Sequence, residues 1–296
     1  MASPSGAKLW VAGARPRTLP AALVPVAVGA ACASGAAGVA WWRVILAAVV
    51  SLSLQVGVNY ANDYSDGVRG TDADRVGPLR LVGSGLVEPS RVRRAAVASL
   101  LVACCAGLVL ALLTTLWLVV VGLAAVLAAW FYTGGPRPYG YAGLGEMFVF
   151  VFFGLVATVG TTYVLCASLP AASWWSGAAA GCLSCALLVV NNLRDIPGDT
   201  VSGKRTLAVR LGDRRTRALF VVLFVAAAVC VVATAVVAGG WALLGLVGVV
   251  AAAPAVRGVL GGATGPALVP VLGAVGRAQL VFGATCALGI SLALAR

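Results

Sequence analysis

The sequence predicts an all-α, polytopic membrane protein, a single bundle of about nine transmembrane helices. Composition carries that expectation first. Of 296 residues, 61% are hydrophobic and 10% are charged, whereas a soluble globular chain has about a quarter charged residues. The mean hydropathy of +1.02 agrees. At about 20 apolar residues per span, the chain divides into roughly nine or ten crossings. That length suits one domain over 1–296 better than two.

The elements follow in order. Residues 1–18 are polar and basic, with Lys8, Arg15 and Arg17 ahead of the first apolar run. This faintly resembles a signal peptide, but the long polytopic remainder predicts an uncleaved first helix. Apolar runs of helical length lie at about 19–36, 43–62, 93–113, 115–132, 145–166, 173–193, 218–238, 241–256 and 278–295. Thr114-Thr115 is the whole break between the third and fourth. The Gly- and Pro-rich region 257–277 reads as a short interfacial or re-entrant piece.

Nine spans allow a charge test. With a cytoplasmic N-terminus, Arg43 and Arg296 are the two of 21 Lys and Arg residues that fall outside, and all nine acids fall inside. The Lys/Arg bias fixes the orientation. It also accounts for the net charge of +12 without nucleic acid as a partner. Chemistry is therefore expected on the cytoplasmic side of a multi-pass cell-membrane protein. The eight cysteines lie in apolar segments. Cys182 and Cys185 form a lone CxxC in a chain without His, which reads as small buried side chains, not a metal or redox pair.

The acids need their own explanation, because they contribute little to topology. Asn59-xxx-Asp63 is followed by Asp66, and Asn191-xxx-Asp195 by Asp199; the Asn and first Asp of each cluster are 132 residues apart. On a helix, Asn59, Asp63 and Asp66 share a face, as do Asn191 and Asp195. Pro197-Gly198 is expected to break the second helix, so that Asp199 reaches in from a loop. Ordinary polar helix ends are the plain alternative, but a helix C-terminus disfavours acids. Facing carboxylates call for a cation, and oxygen-only ligands favour Mg2+ over zinc or copper. Basic loops follow each cluster, Arg69 to Arg94 and Lys204 to Arg217. Carboxylates, Mg2+ and Arg/Lys donors together suit a diphosphate. The cations also suit lipid headgroups, the expectation for Arg91, Arg93, Arg94 and Arg214 to Arg217. No GxxxxGK[ST] run occurs, so a P-loop is not supported.

The two Asn/Asp clusters resemble the aspartate-rich motifs of the UbiA superfamily of intramembrane aromatic prenyltransferases. The string Asn62-Asp63-Tyr64-Ser65-Asp66 through Arg75-Val76-Gly77-Pro78-Leu79-Arg80 resembles one branch, which prenylates 1,4-dihydroxy-2-naphthoate in menaquinone biosynthesis. Ala14 to Leu19, Tyr132 to Glu146 and Gly203 to Gly212 agree. The 132-residue offset, close to half of the chain, predicts two pseudo-repeated halves, each carrying one Asn/Asp motif. The resemblance implies Mg2+ held by Asn59, Asp63, Asp66, Asn191, Asp195 and Asp199, with the four aspartates catalytic. The donor would be a polyprenyl diphosphate, which ionises to an allylic cation that attacks the naphthoate ring with loss of CO2. Arg80, Lys204 and Arg205 are candidates for phosphate contact. Arg17 and Arg137 are candidates for phosphate or the acceptor carboxylate, and Tyr132 or Tyr139 for flanking the cation. The tail would lie among apolar helices or in membrane lipid. Another aromatic acceptor such as 4-hydroxybenzoate, a cation transporter built on paired carboxylates, and a lipid-binding subunit are the rivals.

Overall fold

The computed structural model describes residues 6–71 and 79–295. Asp72 and Arg75 to Pro78, part of the branch-specific string, lie outside the described residues, as does Arg296. The described chain is helical: α1 (Ala7–Ala14), α2 (Pro20–Ala33), α3 (Arg43–Val68), α4 (Pro89–Leu113), α5 (Trp117–Phe131), α6 (Gly145–Phe150), α7 (Ala157–Cys166), α8 (Ala171–Val201), α9 (Leu207–Ala238), α10 (Gly245–Val250), α11 (Ala253–Leu260) and α12 (Leu268–Leu294). A π-helical turn at Val151–Val156 joins α6 to α7, so Gly145–Cys166 forms one span.

Among the described residues, six helices are individually long and apolar enough to cross a membrane, or up to eight with each of two bent pairs counted as one span. The bent pairs are the N-terminal helices, at 55°, and α10 with α11, at 41°. The shorter α5 is a ninth apolar helix, so the expected nine is approximate. Four boundaries differ from expectation by about six residues or more, one of them the start of α9, at Leu207 and not 218. α3 runs past residue 62 to Val68 and α8 past 193 to Val201, so both polar motifs are helical. α12 begins at Leu268, which places most of 268–277 in a span and not in an interfacial piece. Hydropathy stops at the last apolar side chain, whereas the backbone ladder continues wherever polar side chains find partners.

Pro197-Gly198 does not break α8. An interior proline costs about 3 kcal/mol, which the packing of a 31-residue helix offsets. The helix stops at Gly203, whose φ is +74°. There Lys204 N–H donates to Asp199 C=O (2.8 Å) and Gly203 N–H to Thr200 C=O (3.3 Å), a paired C-terminal cap that glycine makes accessible. Asp199 therefore sits in the last turn of α8.

α8 is the central post: 78% of its most apolar window is buried, against 28–44% for the other single spans. It packs against α2, α9 and α12 through a core that includes Leu183, Val190, Phe220 and Phe282. Close approach to the π turn depends on glycine, because a Cβ on Gly154 would lie 2.5 Å from Gly181 Cα. The outer faces of α4, α5 and α9 expose Leu101, Leu112, Leu123, Val225 and Val236, as helices facing lipid do. At the bundle end remote from the polar motifs, Trp41, Trp42, Trp117, Trp174, Trp175 and Trp241 are exposed, in the manner of an interfacial aromatic belt. There Arg43 donates to the C=O groups of Val164 (2.9 Å) and Leu113 (3.2 Å), satisfying the last turns of α7 and α4.

Candidate active site

α3 and α8 present their polar ends to one cavity of about 1080 Å³, above the usual range for a drug-sized ligand. Asn62 and Asp66 of α3, and Asn191, Asp195 and Asp199 of α8, line its mouth with Arg15, Arg80 and Lys204. The shaft beyond is apolar and reaches Ala47 and Val164 near the tryptophan end. Asp66 to Ala47 spans about 28 Å of helix at 1.5 Å per residue.

Asp66 is the hub. Its Oδ1 accepts the Tyr141 hydroxyl at 2.5 Å and the Lys204 ammonium at 3.1 Å, and its Oδ2 accepts Arg80 Nη2 at 3.4 Å. An acid at a helix C-terminus opposes the dipole, and these donors offset that cost. Lys204 also lies 4.8 Å from the Tyr141 ring centroid, and Arg69 lies 5.5 Å from it. Arg69 further donates to the C=O groups of Thr133 and Gly135. Thr133 Oγ1 donates to Asn62 Oδ1 at 2.7 Å. The end of α3 is thus tied to the segment between α5 and α6. Burial, reinforced by the Asp66 carboxylate, pushes the Tyr141 hydroxyl well above the ordinary phenol range, and it remains a donor. Burial raises Tyr139 likewise.

In the second motif Arg194 grips Asp195 with two bonds, Nε to Oδ1 (2.7 Å) and Nη2 to Oδ2 (2.8 Å), and Nη2 also reaches Asn191 Oδ1 (2.9 Å). Its Nη1 is buried without a hydrogen-bond partner. Asn192 Nδ2 donates to Glu146 Oε1 at 3.0 Å. The Thr206 hydroxyl lies 3.5 Å from Asp199 Oδ2.

Two expected ligands also carry bonds that hold the fold. Asp63 is fully buried and accepts the backbone N–H groups of Leu81 (2.7 Å) and Val82 (2.9 Å). Asn59 lines the cavity, but its amide donates to Ala14 C=O (2.9 Å) and Thr18 Oγ1 (3.1 Å), holding the turn between α1 and α2. Adjacent helical residues point about 100° apart, so Asn62 and Asp63 face different neighbours.

An aromatic wall follows the mouth. Tyr132 and Tyr139 meet edge to face at 5.5 Å, and Tyr139 stacks on Phe148 at 4.0 Å. All three line the cavity. Arg17, Arg137 and Arg205, expected at the substrate, are exposed and absent from the cavity lining. Arg15 adopts φ 55° where α1 ends, and the short turn that follows directs Arg15 inward and Arg17 outward.

Among the described residues no three His, Cys, Asp or Glu side chains converge as a metal cage. Mg2+ characteristically takes one or two carboxylates plus substrate phosphates instead of an all-protein cage. Oxygen donors on α3 and α8, beside buried cations ready for an anion, fit that pattern.

The sequence profile of the UbiA prenyltransferase family matches residues 22–261. The chain belongs to the UbiA prenyltransferase family. It is 50% identical over 286 residues to the 1,4-dihydroxy-2-naphthoate octaprenyltransferase of Mycobacterium tuberculosis, covering 97% of this chain and 96% of that protein. The Escherichia coli protein of the same name is 37% identical over 240 residues, 76% of each chain. A UbiA homolog from Archaeoglobus fulgidus, solved bound to GPP and Mg2+, shares the fold at a TM-score of 0.64 and 16% identity, covering 96% of this chain and 99% of that one.

For a UbiA prenyltransferase, the informative residues that spacing overlooked are Asn62, Tyr141 and Arg194. Asn62 to Asp66 has the same i, i+4 interval as Asn191 to Asp195, which was the available signal. Arg194 lies inside the second motif. Tyr141 lies in the family-like stretch Tyr132 to Glu146 but had no spacing signal of its own, because its importance comes from meeting Asp66 across 75 residues.

Proposed function

We propose that this membrane enzyme transfers a polyprenyl group from polyprenyl diphosphate to 1,4-dihydroxy-2-naphthoate with loss of CO2, giving demethylmenaquinol, the reduced form of demethylmenaquinone. The observation that carries the reading is one continuous cavity, with carboxylates and buried cations at its mouth and an apolar shaft behind. An anionic head on a long hydrocarbon tail matches both parts. The acceptor assignment follows the names of the relatives.

Lys204 and Arg80 bind and orient the diphosphate, releasing part of their hold on Asp66. Asn62, Asp66, Asn191, Asp195 and Asp199 would hold Mg2+, which when bound neutralises charge on the leaving diphosphate. Asp63 and Asn59 support the mouth from behind, through the 81–82 backbone and the α1–α2 turn. Tyr132, Tyr139 and Phe148 present ring faces and edges where the allylic cation develops, and exclude water from it. As the C–O bond breaks, its electron pair leaves on the diphosphate. The ring carbon bearing the carboxylate bonds to the prenyl C1. Loss of CO2 returns the electron pair to the ring, so no general base is required at that carbon. A chain without His suits such chemistry.

We place the motif-bearing end at the cytoplasmic face of the cell membrane. Basic loops lie at that end, and an excess of Lys and Arg marks the cytoplasmic side by the positive-inside rule.

The test is purified protein with radiolabelled farnesyl or longer diphosphate, Mg2+, and either 1,4-dihydroxy-2-naphthoate or 4-hydroxybenzoate. Label in a decarboxylated naphthoate product, lost in EDTA and restored by Mg2+, is expected. Transfer to the benzoate alone overturns the acceptor, and no transfer to either overturns the activity.

A further inference from the structure

A glycine inside a helix weakens it relative to alanine and normally has a local reason. Several here do. A Cβ on Gly29 would lie 2.3 Å from Thr158 O, and one on Gly248 would lie 2.2 Å from Phe282 Cα. Gly107, Gly122 and Gly160 have no such reason. None has a positive φ. A Cβ on Gly122 or Gly160 would meet open space, and one on Gly107 would meet only Val50 Cγ2, at 3.9 Å. These are not the close helix contacts that usually recruit small residues in membranes.

The three share a place. They sit on α4, α5 and α7, all line the cavity, and each lies within two turns of the helix end remote from Asp66. Three separate helices therefore leave out a side chain around the same stretch of shaft, next to Leu110, Val121 and Val164. The missing volume belongs to the cavity and not to packing.

We propose that Gly107, Gly122 and Gly160 set the bore of the far shaft, and so determine how long a prenyl tail the enzyme accepts. The occupant is the distal isoprene units of the donor, whose diphosphate sits at the Asp66–Lys204 mouth. This rests on the prenyl-transfer reading above. A leucine at any of the three would project into the shaft and block long tails while leaving the mouth and the first units untouched.

The experiment compares geranyl and octaprenyl diphosphate as donors for wild-type protein and for Gly107→Leu, Gly122→Leu and Gly160→Leu. The leucine variants should keep most geranyl transfer and lose octaprenyl transfer by about tenfold or more, the scale of an overpacked contact. Alanine variants at the same positions should shift the ratio in the same direction by less, and they carry the test where a leucine variant does not fold. Equal loss on both donors, or no loss on either, overturns the proposal. Wild-type protein inactive on both donors overturns the prenyl-transfer reading instead.

Discussion

Lys204 Nζ lies 3.1 Å from Asp66 Oδ1, joining positions 138 residues apart at the mouth of one cavity. Both side chains are more than nine-tenths buried. The contact links the end of α3 to the residue that follows the α8 cap, and so fastens the two motifs together. Removing one partner of a buried pair strands the other charge, at a cost of about 3–5 kcal/mol. Lys204→Met should therefore lower the thermal midpoint in detergent and raise the donor KM. Combining it with Asp66→Asn should recover part of the stability and none of the transfer. Additive losses in that double-mutant cycle would show that the contact is not coupled.

Asp66→Ala, Asp195→Ala and Asp199→Ala should each reduce transfer by about a hundredfold or more, the scale of losing a preorganised charge partner for a leaving group. Protein yield should be maintained in the Asp199 variant, whose carboxylate lies in the last turn of α8. Initial rates with labelled donor decide it; near-normal turnover in any of the three removes that residue from the site.

Asp63 should behave differently. From the sequence alone, Asp63→Ala would abolish transfer at unchanged expression. With both oxygens on the Leu81 and Val82 amides, the substitution also leaves two buried donors unpaired, each costing about 1–3 kcal/mol. Activity and thermal stability should fall together in Asp63→Ala. Loss of activity with a wild-type melting profile would place this carboxylate at the substrate instead.

Tyr141 gives a pH prediction. Its folded-state pKa is raised by burial and by Asp66, so the folded protein keeps a proton that the unfolded chain loses near pH 10. The unfolded state then binds fewer protons, and stability falls as pH rises past that value. Wild-type protein should lose stability above about pH 10, and Tyr141→Phe should lose less over the same range. Tyr141→Phe should also weaken transfer about tenfold, through one lost hydrogen bond to a charged group. Parallel melting curves for the two proteins across that pH range would count against the assignment.

The helices and the two carboxylate clusters were legible because hydropathy and i, i+4 spacing are local signals. The extent of α3 and α8 was less so, since polar last turns are held by partners far away in sequence: Tyr141 for Asp66, and the 81–82 backbone for Asp63. Spacing also gave Asn59 and Asp63 more prominence than Asn62. A face of a helix is visible in sequence, but which neighbour that face meets is not. Pro197 misled for a related reason. Its local cost is real, but a long packed helix ending in a glycine cap absorbs it.

The order of synthesis gives the Asp66 cluster a further consequence. Asp66 leaves the ribosome 75 residues before Tyr141 and 138 before Lys204. At about 5–20 residues per second, the interval to Lys204 is roughly 7–28 s. Throughout it Asp66 lacks its Lys204 donor, and for the first part its Tyr141 donor as well, whereas Arg80 and the amides that hold Asp63 follow α3 directly. The end of this helix must wait in water at the membrane boundary and be drawn inward as the second half arrives, so closure of the mouth is a late event in the biogenesis of the enzyme.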